Sequence, residues 1–245
     1  VFFLDFDGTL APIVDRPESA TLLEGARSLL IRLAGRTLVC VLSGRDLDDL
    51  RARVDIPSLY YGADHGRRLV GPSGSGLEHE VGGSARSDLR SAAADLEERL
   101  ADVGGVLVEV KDLSLSVHYR LVAEDERATV ERIVHRAMEH RPTLRLNHGK
   151  LVFELKPDDG WDKGQAMLWL LERMHVALTD VCPICIGDDI TDEDMFRALG
   201  PDGIPVVVGP PDRPTYARYS LSDPAETLRF LETFAPACSP GETSS

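Results

Sequence analysis

Short apolar runs, each almost free of polar residues, alternate with helical patterns in two separated stretches of this chain. The first stretch has strand-like runs over residues 1–6, 37–42 and 58–62. One helical pattern runs from Leu22 to a stop at Gly35, and a short acidic helix is predicted to begin near Asp46. Strands buried on both faces read as continuous apolar runs, which is typical of a parallel sheet covered by helices. The sequence therefore predicts an α/β fold.

The pattern changes between residues 82 and 157, where strands follow one another in pairs between helices. Helices are predicted over 84–102 and 124–140, and strands over 106–111, 115–121, 143–146 and 151–155. Residues 114–119 alternate between apolar and polar, as a strand with one buried face does. We therefore expect an inserted α+β domain with an antiparallel sheet.

The α/β pattern returns from residue 158 onward. Helices are predicted over 163–174, 192–199 and about 225–234, and strands over 181–186 and 204–208. The predicted domains are a core of 1–81 with 158–237, an insert of 82–157, and a disordered polar tail of 238–245. A Gly- and Ser-rich segment over 71–76 predicts a hairpin tip. The neighbouring Arg67 and Arg68 are expected to be solvated on this hairpin, and a small anion site is the alternative.

Charge and cysteine content exclude several classes of function. The 245 residues carry a formal net charge of −14, so nucleic acid and anionic lipid are not expected as partners. No apolar run approaches the roughly 20 residues that span a bilayer. The four cysteines form no secreted-type framework, and the acidic start of the chain does not resemble a signal peptide. We expect a cytoplasmic protein whose acids suit a divalent cation.

The strongest functional pattern is the Asp5-Phe6-Asp7-Gly8-Thr9 segment, directly after the first buried strand. Its two carboxylates stand where open α/β sheets bind ligands, at the carboxyl end of a strand. Gly8 and Thr9 let the chain turn away at once. The alternative is a solvated acidic turn.

A second acidic segment follows the predicted strand over 181–186 and contains Asp188, Asp189, Asp192 and Glu193. Thr191 or Asp192 is expected to cap the next helix. The number of acids exceeds what a cap needs, and a bound Mg²⁺ would relieve their repulsion.

Two weaker patterns point to a bound phosphate. Lys163 opens a predicted helix, where the helix dipole disfavours a cation unless an anion is bound nearby. Ser43-Gly44-Arg45 follows another strand and offers a hydroxyl and free backbone N–H groups to a phosphate. A solvated lysine is the alternative for Lys163.

Together and in this order, the four segments resemble the haloacid-dehalogenase-like phosphatase superfamily. The resemblance implies a Rossmann-like parallel-sheet core with an inserted α+β cap domain. It implies Asp5 as the nucleophile that forms an aspartyl-phosphate, and Asp7 as the general acid and base. Ser43 and Lys163 would bind the phosphoryl oxygens. Mg²⁺ would be held by Asp5, Asp188 and the carbonyl of Asp7, with Asp189 in support.

A closer resemblance, to trehalose-6-phosphate phosphatases, covers nearly the whole chain. It rests on the segments over 43–45, 62–66, 116–120, 149–154, 162–164 and 187–194. In that family the cap reads the sugar, which implies sugar contacts for Glu109, Lys111, Lys150 and Glu154, with His65, His118 and Arg120 as additional contacts. The resemblance also implies substrate binding by Gly44 and Arg45 of the core. A structural role for His118 and solvated side chains for Lys111 and Lys150 are the alternatives.

The resemblance implies a Mg²⁺-dependent phosphatase that converts trehalose 6-phosphate to trehalose, with a trehalose-phosphate synthase as pathway partner. One alternative is a phosphatase for a related glycoside phosphate, such as glucosylglycerol phosphate or a pseudo-disaccharide phosphate. Another is a non-catalytic sugar-phosphate sensor, which the presence of all the catalytic residue types disfavours.

Overall fold

A computed structural model describes residues 1–14, 16–149, 151–210 and 213–235, which form two compact units. The core unit contains Val1–His79 and the described residues from Asp162 onward, and the inserted unit contains Glu80–Trp161. Residues 82–157, predicted as the insert, lie within the inserted unit. The predicted tail, 238–245, lies outside the described residues.

The elements follow the order expected from the sequence. The strands are β1 (Phe2–Leu4), β2 (Val39–Leu42), β3 (Tyr60–Ala63), β4 (Arg68–Val70), β5 (Glu78–Glu80), β6 (Leu107–Val110), β7 (Leu115–His118), β8 (Leu144–Gly149), β9 (Val152–Pro157), β10 (Ile184–Gly187), β11 (Ile204–Val208) and β12 (Tyr219–Leu221). The helices are α1 (Ala26–Ala34), α2 (Leu47–Val54), α3 (Arg86–Leu100), α4 (Arg127–Met138), α5 (Lys163–Arg173), α6 (Glu193–Leu199) and α7 (Pro224–Glu232). None of these described helices is long and apolar enough to cross a membrane.

The core unit is built on an eight-stranded sheet with the order β12-β11-β10-β1-β2-β3-β4-β5. β1 pairs in parallel with β2 on one side and with β10 on the other. All three residues of β1 are buried, because helices cover both faces of the sheet and only apolar side chains fit there. The predicted parallel α/β sheet is confirmed from β12 to β3. β4 pairs antiparallel with β3, so the whole sheet is mixed.

Backbone chemistry explains where several elements begin. Asp46 caps α2 by accepting a hydrogen bond from the Asp49 N–H, as the sequence predicted for a helix starting there. The predicted start of the first helix at Leu22 is wrong, because Gly25 adopts a left-handed conformation (φ 82°) immediately before α1. β10 begins at Ile184, three residues later than predicted, and directly follows Pro183, which has no N–H to donate to a ladder.

Two features of the core unit differ from the prediction. Arg67 is 1% exposed, so its predicted solvated position is wrong, whereas Arg68 in β4 is half-buried. β12 was not predicted; it is a three-residue edge strand that pairs with β11 and carries no long apolar pattern. The 71–76 segment lies between β4 and β5, which are neighbours in the sheet, as its composition predicted.

The inserted unit has the predicted antiparallel sheet, with the order β6-β7-β9-β8. In its core, the apolar faces of α3 and α4 pack against one face of this sheet, which contributes residues such as Leu115, Val117 and Phe153. Because successive side chains of a strand alternate, Ser116 and His118 stand on the opposite face. The inserted unit therefore has one apolar face covered by helices and one polar face.

Candidate active site

The carboxyl ends of β1, β2 and β10 bring the predicted catalytic segments to one edge of the sheet. Asp5 follows β1 and its N–H donates to the carbonyl of Ile186 in β10, at 2.9 Å. Ser43 follows β2, and Asp188 follows β10. Adjacent parallel strands end at the same edge, so the order of the sheet alone places these three residues together.

Lys163 lies between two carboxylates at this edge. Its Nζ donates to Asp5 Oδ1 at 2.6 Å and to Asp192 Oδ1 at 2.7 Å. The exposed fractions of the side chains are 2% for Lys163, 8% for Asp5 and 0% for Asp192. Burial alone would lower the pKa of Lys163, but the charges and hydrogen bonds of Asp192 and Asp5 outweigh it and raise the pKa. The lysine is therefore held as a cation at the first turn of α5.

Three of the acids at this edge form a potential metal site. One carboxylate oxygen from each of Asp5, Asp188 and Asp192 lies within 4.8 Å of the other two. Burial, together with the charges of Asp192 and Asp189, raises the pKa of Asp188 to about 7, against the lowering effect of Lys163. Burial also raises the pKa of Asp5 well above its usual value. The three carboxylates carry more negative charge than Lys163 neutralises, and two of them are buried. Such a set of oxygen donors fits a hard divalent cation.

Gly8 lets Asp188 approach the turn after β1. Its φ is +77°, a left-handed conformation that other residues rarely adopt, and a Cβ here would overlap the Asp188 carboxylate. The glycine of the Asp-Gly-Thr segment is therefore needed both for the turn and for the carboxylate that faces it.

Asp7 is held by an arginine rather than by the acid cluster. The Nε and Nη2 atoms of Arg45 donate to Asp7 Oδ2 and Oδ1, each at 2.7 Å. The Asp7 side chain is 41% exposed, so it remains accessible to solvent. Arg45 was predicted to bind substrate; its guanidinium here binds Asp7 and, through Nη1, Asp49 at 2.6 Å.

Ser43, Gly44 and His65 are neighbours next to this ion pair. Ser43 is buried, and its Oγ accepts a hydrogen bond from the Arg45 N–H at 3.2 Å. The His65 N–H donates to the Ser43 carbonyl at 2.8 Å, and a Cβ on Gly44 would overlap the His65 ring. The three predicted phosphate and substrate contacts of this region are therefore brought together.

Asp192 is the site residue that the sequence analysis missed. The sequence placed Asp192 in the acidic cluster and predicted Thr191 or Asp192 as the cap of the next helix, but α6 has no side-chain cap. Asp192 Oδ2 instead accepts from the Asp189 N–H at 3.0 Å, in the capping box of the turn before α6. Its other oxygen binds Lys163. Asp189, predicted to support the metal, is exposed, and its Oδ1 accepts from the Ile190 N–H at 2.6 Å. The excess of acids over capping needs was the signal that could have identified Asp192.

The polar face of the inserted unit carries four of the predicted substrate contacts, which are Glu109, Lys111, His118 and Glu154. The strand registers align Glu109 with Ser116, Ser116 with Glu154, and Glu154 with Asn147, in one row across the four strands. His118 Nε2 lies 2.9 Å from Glu109 Oε2, and Lys156 Nζ lies 2.7 Å from Glu154 Oε2.

Lys111 joins the same group, with Nζ 3.9 Å from Glu109 Oε1. Arg120 is exposed in the turn after β7. Lys150 lies outside the described residues, so its predicted contact is not addressed by the structure.

Comparison with known proteins identifies relatives over almost the entire chain. The family model described as trehalose-phosphatase matches residues 3–225. The chain is 42% identical over 237 residues to a trehalose-phosphate phosphatase of Mycobacterium bovis, a match that covers 95% of this chain and 60% of the relative. The chain therefore spans less than two thirds of the length of that relative.

Solved structures give the same fold. The C-terminal domain of the Candida albicans trehalose-6-phosphate phosphatase superposes with a TM-score of 0.77 at 25% identity, covering 95% of this chain and 91% of that one. A trehalose-6-phosphate phosphatase related protein gives a TM-score of 0.78 at 24% identity, over 95% and 96% of the two chains. The predicted haloacid-dehalogenase-like fold, an α/β core with an α+β insert, is confirmed.

Proposed function

Because the chain belongs to the trehalose-phosphatase family, we propose that it hydrolyses trehalose 6-phosphate to trehalose and inorganic phosphate. The observation that carries this proposal is the buried Lys163, bound to both Asp5 and Asp192 beside Asp188 at the carboxyl edge of the sheet. An anionic nucleophile beside a fixed cation is what attack on a phosphate monoester requires, since both reactants are negatively charged.

Asp5 is the nucleophile in this proposal. A carboxylate oxygen of Asp5 forms a bond to phosphorus while the bond from phosphorus to the sugar oxygen breaks, which leaves an aspartyl-phosphate. Water then attacks the phosphorus, and Asp5 departs as a carboxylate. The hydrogen bond from Lys163 to Asp5 Oδ1 orients the carboxylate in both steps.

Asp7 is the acid and base of the two steps. It gives a proton to the leaving sugar oxygen and then takes one from the attacking water, because an alkoxide is a poor leaving group without protonation. The paired hydrogen bonds from Arg45 fix the plane of the Asp7 carboxylate. The hydroxyl of Ser43 and the ammonium of Lys163 bind the phosphoryl oxygens, next to Gly44 and His65.

The family implies a divalent metal ion, and we propose that it is Mg²⁺. The ion would be held by the neighbouring carboxylates of Asp5, Asp188 and Asp192. Two further contributors are predicted, the backbone carbonyl of Asp7 and the side chain of Asp189. The bound ion would neutralise charge on the phosphoryl group. Mg²⁺ fits because it is held by few carboxylates and keeps several waters.

The polar face of the inserted unit is assigned to sugar recognition. Glu109, Lys111, His118 and Glu154 alternate donors and acceptors along this face, and sugar hydroxyls can accept or donate to either type. Arg120 and Lys150 are further predicted contacts. We place the reaction in the cytoplasm, where a trehalose-phosphate synthase would supply the substrate.

Phosphate release from a panel of sugar phosphates tests this proposal. The panel contains trehalose 6-phosphate, glucose 6-phosphate and glucosylglycerol phosphate, each assayed with Mg²⁺ and with EDTA. We expect the highest kcat/KM for trehalose 6-phosphate, and loss of activity in EDTA. The Asp5→Asn variant is the control for contaminating phosphatases. Preference for another member of the panel would replace the proposed substrate, and full activity in chelated buffer would reject the metal.

A further inference from the structure

A line of alternating charges runs from Asp7 along one side of α2. Arg45 binds Asp7 with two hydrogen bonds of 2.7 Å, and its Nη1 binds Asp49 Oδ2 at 2.6 Å. Asp49 in turn binds Arg53, with Oδ2 2.8 Å from Nε and Oδ1 2.6 Å from Nη2. Asp7, Arg45, Asp49 and Arg53 form a charge chain in which each cation lies beside an anion.

The far end of the charge chain is fixed to the backbone. Arg53 Nη1 donates to the carbonyl of Ala20 at 2.7 Å and to that of Glu18 at 3.0 Å. Arg45 Nη2 also donates to the Pro17 carbonyl at 2.8 Å. The chain is thus held by the 17–20 segment as well as by α2.

Asp49 makes this arrangement possible because of its position on α2. It stands four residues after Arg45 and four before Arg53, so one carboxylate can bind both arginines. Burial alone would raise the pKa of Asp49, but the hydrogen bonds and charges of Arg53 and Arg45 lower it. Asp49 therefore stays charged and binds Nη1 of Arg45, the guanidinium nitrogen that does not reach Asp7.

We propose that Asp49 and Arg53 are positioning residues that hold Arg45 so that it orients the carboxyl group of Asp7, which in its protonated form gives its proton to the leaving oxygen and regains one from the attacking water. A guanidinium is planar and binds a carboxylate in two parallel hydrogen bonds, so its orientation sets that of Asp7. The long arginine side chain has many rotamers, and Asp49 selects the one seen here. This inference rests on the proposed function, since it assigns Asp7 to proton transfer.

The competing explanation is that these pairs only stabilise α2. Ion pairs four residues apart commonly contribute little more than that when they are exposed, and these pairs are partly buried. The two explanations differ in how they depend on the leaving group. Proton donation matters for a sugar alkoxide but little for p-nitrophenolate, which is a good leaving group unprotonated. A loss confined to the sugar phosphate therefore distinguishes positioning from stability.

The test compares kcat/KM of Asp49→Asn on trehalose 6-phosphate and on p-nitrophenyl phosphate, because kcat/KM reports the steps up to loss of the leaving group and excludes the hydrolysis step that both substrates share. Asparagine keeps the shape of the side chain and removes its charge. We expect kcat/KM for trehalose 6-phosphate to fall about 10- to 100-fold, which is part of the roughly 10²- to 10⁴-fold that general acid catalysis contributes, with KM changed far less than kcat. The loss on p-nitrophenyl phosphate should be no more than about twofold. Asp48→Asn, at an exposed position of the same helix, is the matched control and should match the parent on both substrates.

Arg53→Gln provides a second variant, because it leaves Asp49 bound to Arg45 and removes only the far anchor. It should show a smaller loss in the same direction. Equal losses on the two substrates, or no loss in either variant, would overturn the inference while parent turnover of trehalose 6-phosphate stands. A parent protein that hydrolyses only p-nitrophenyl phosphate would instead overturn the proposed function.

Discussion

The carboxyl edge of the eight-stranded sheet and the polar face of the four-stranded sheet both collect acids and lysines, but in different environments. At the edge, Asp5, Lys163 and Asp192 come from three separate segments and are almost completely buried. On the face, Glu109 and His118 come from paired strands, and their side chains are 46% and 42% exposed.

The difference in burial suits the charges of the two regions to different functions. Buried charges interact strongly. Burial first, and then repulsion from neighbouring acids, raises the pKa of both Asp5 and Asp188. Burying several charges together costs folding free energy, but the buried charges interact strongly with a bound phosphate. Exposed charges interact weakly with one another and can be exchanged for hydrogen bonds to a ligand. The contrast predicts that substitutions at the edge affect chemistry and stability far more than substitutions on the face.

The largest expected effect is on turnover in Asp5→Asn. The amide is close in shape to the carboxylate but is a poor nucleophile, so turnover should fall on the order of 10⁴-fold or more. The unfolding temperature should change little, because Asp192 still binds Lys163. Phosphate release and thermal unfolding measure the two quantities. Turnover close to that of the parent protein would remove Asp5 from the nucleophile role.

The next largest effect is on stability in Lys163→Met. This substitution leaves the carboxylates of Asp5 and Asp192 buried without their cation, and should lower the free energy of unfolding by about 3–5 kcal/mol. Lys111→Met, on the polar face, is the matched control and should cost less than about 1 kcal/mol. Urea unfolding of both variants measures the difference. Similar costs would mean that burial does not distinguish the two regions.

A smaller effect is expected on specificity in Glu154→Ala. Losing a charged hydrogen bond to a sugar hydroxyl costs about 1.5–3 kcal/mol, so kcat/KM for trehalose 6-phosphate should fall about 10- to 100-fold. p-Nitrophenyl phosphate carries no sugar, and its kcat/KM should not change. The matched control is Glu131→Ala, an exposed glutamate on α4. A loss that is equal for both substrates would argue against sugar recognition by Glu154.

The smallest effect concerns the pH dependence of stability at Glu109. The hydrogen bond with His118 lowers the pKa of Glu109, assisted by Lys111 and opposed by burial. Such a carboxylate stabilises the fold above the unfolded glutamate pKa of about 4.3, and the contribution disappears as pH falls through the folded value.

Glu109→Gln should therefore cost less than about 1 kcal/mol at pH 7, because the pair is exposed. The difference between variant and parent should shrink as the pH is lowered below the ordinary glutamate range. Urea unfolding at a series of pH values measures it. A difference that grows toward low pH would contradict the lowered pKa.

Patterns that lie within a few residues of one another were readable from the sequence. Asp5, Ser43 and Asp188 each follow an apolar run, and the end of a parallel strand is a position that sequence alone can locate. Lys163 was identified because a cation opens a helix. The parallel core and the antiparallel insert followed from the same local periodicity.

Contacts between distant segments were not readable. Asp192 looks like a helix cap in its local sequence, and the lysine that binds its second oxygen stands 29 residues earlier. The Asp7 and Arg45 pair spans 38 residues, so no spacing rule could indicate it. Arg67 is buried in the fold, but the short strand that follows it carries no alternation that would reveal this. These features depend on which segments the sheet order brings together.

The position of β1 in the sheet has a consequence for how the protein is made. One partner, β2, leaves the ribosome soon after β1, but the other, β10, follows only after the whole of Glu80–Trp161 has been synthesised. Until then the apolar strand Phe2–Leu4 has one open edge, which can template pairing with other chains. A nascent chain that is released before Ile184 is therefore expected to aggregate, and translation speed through the insert becomes a determinant of yield.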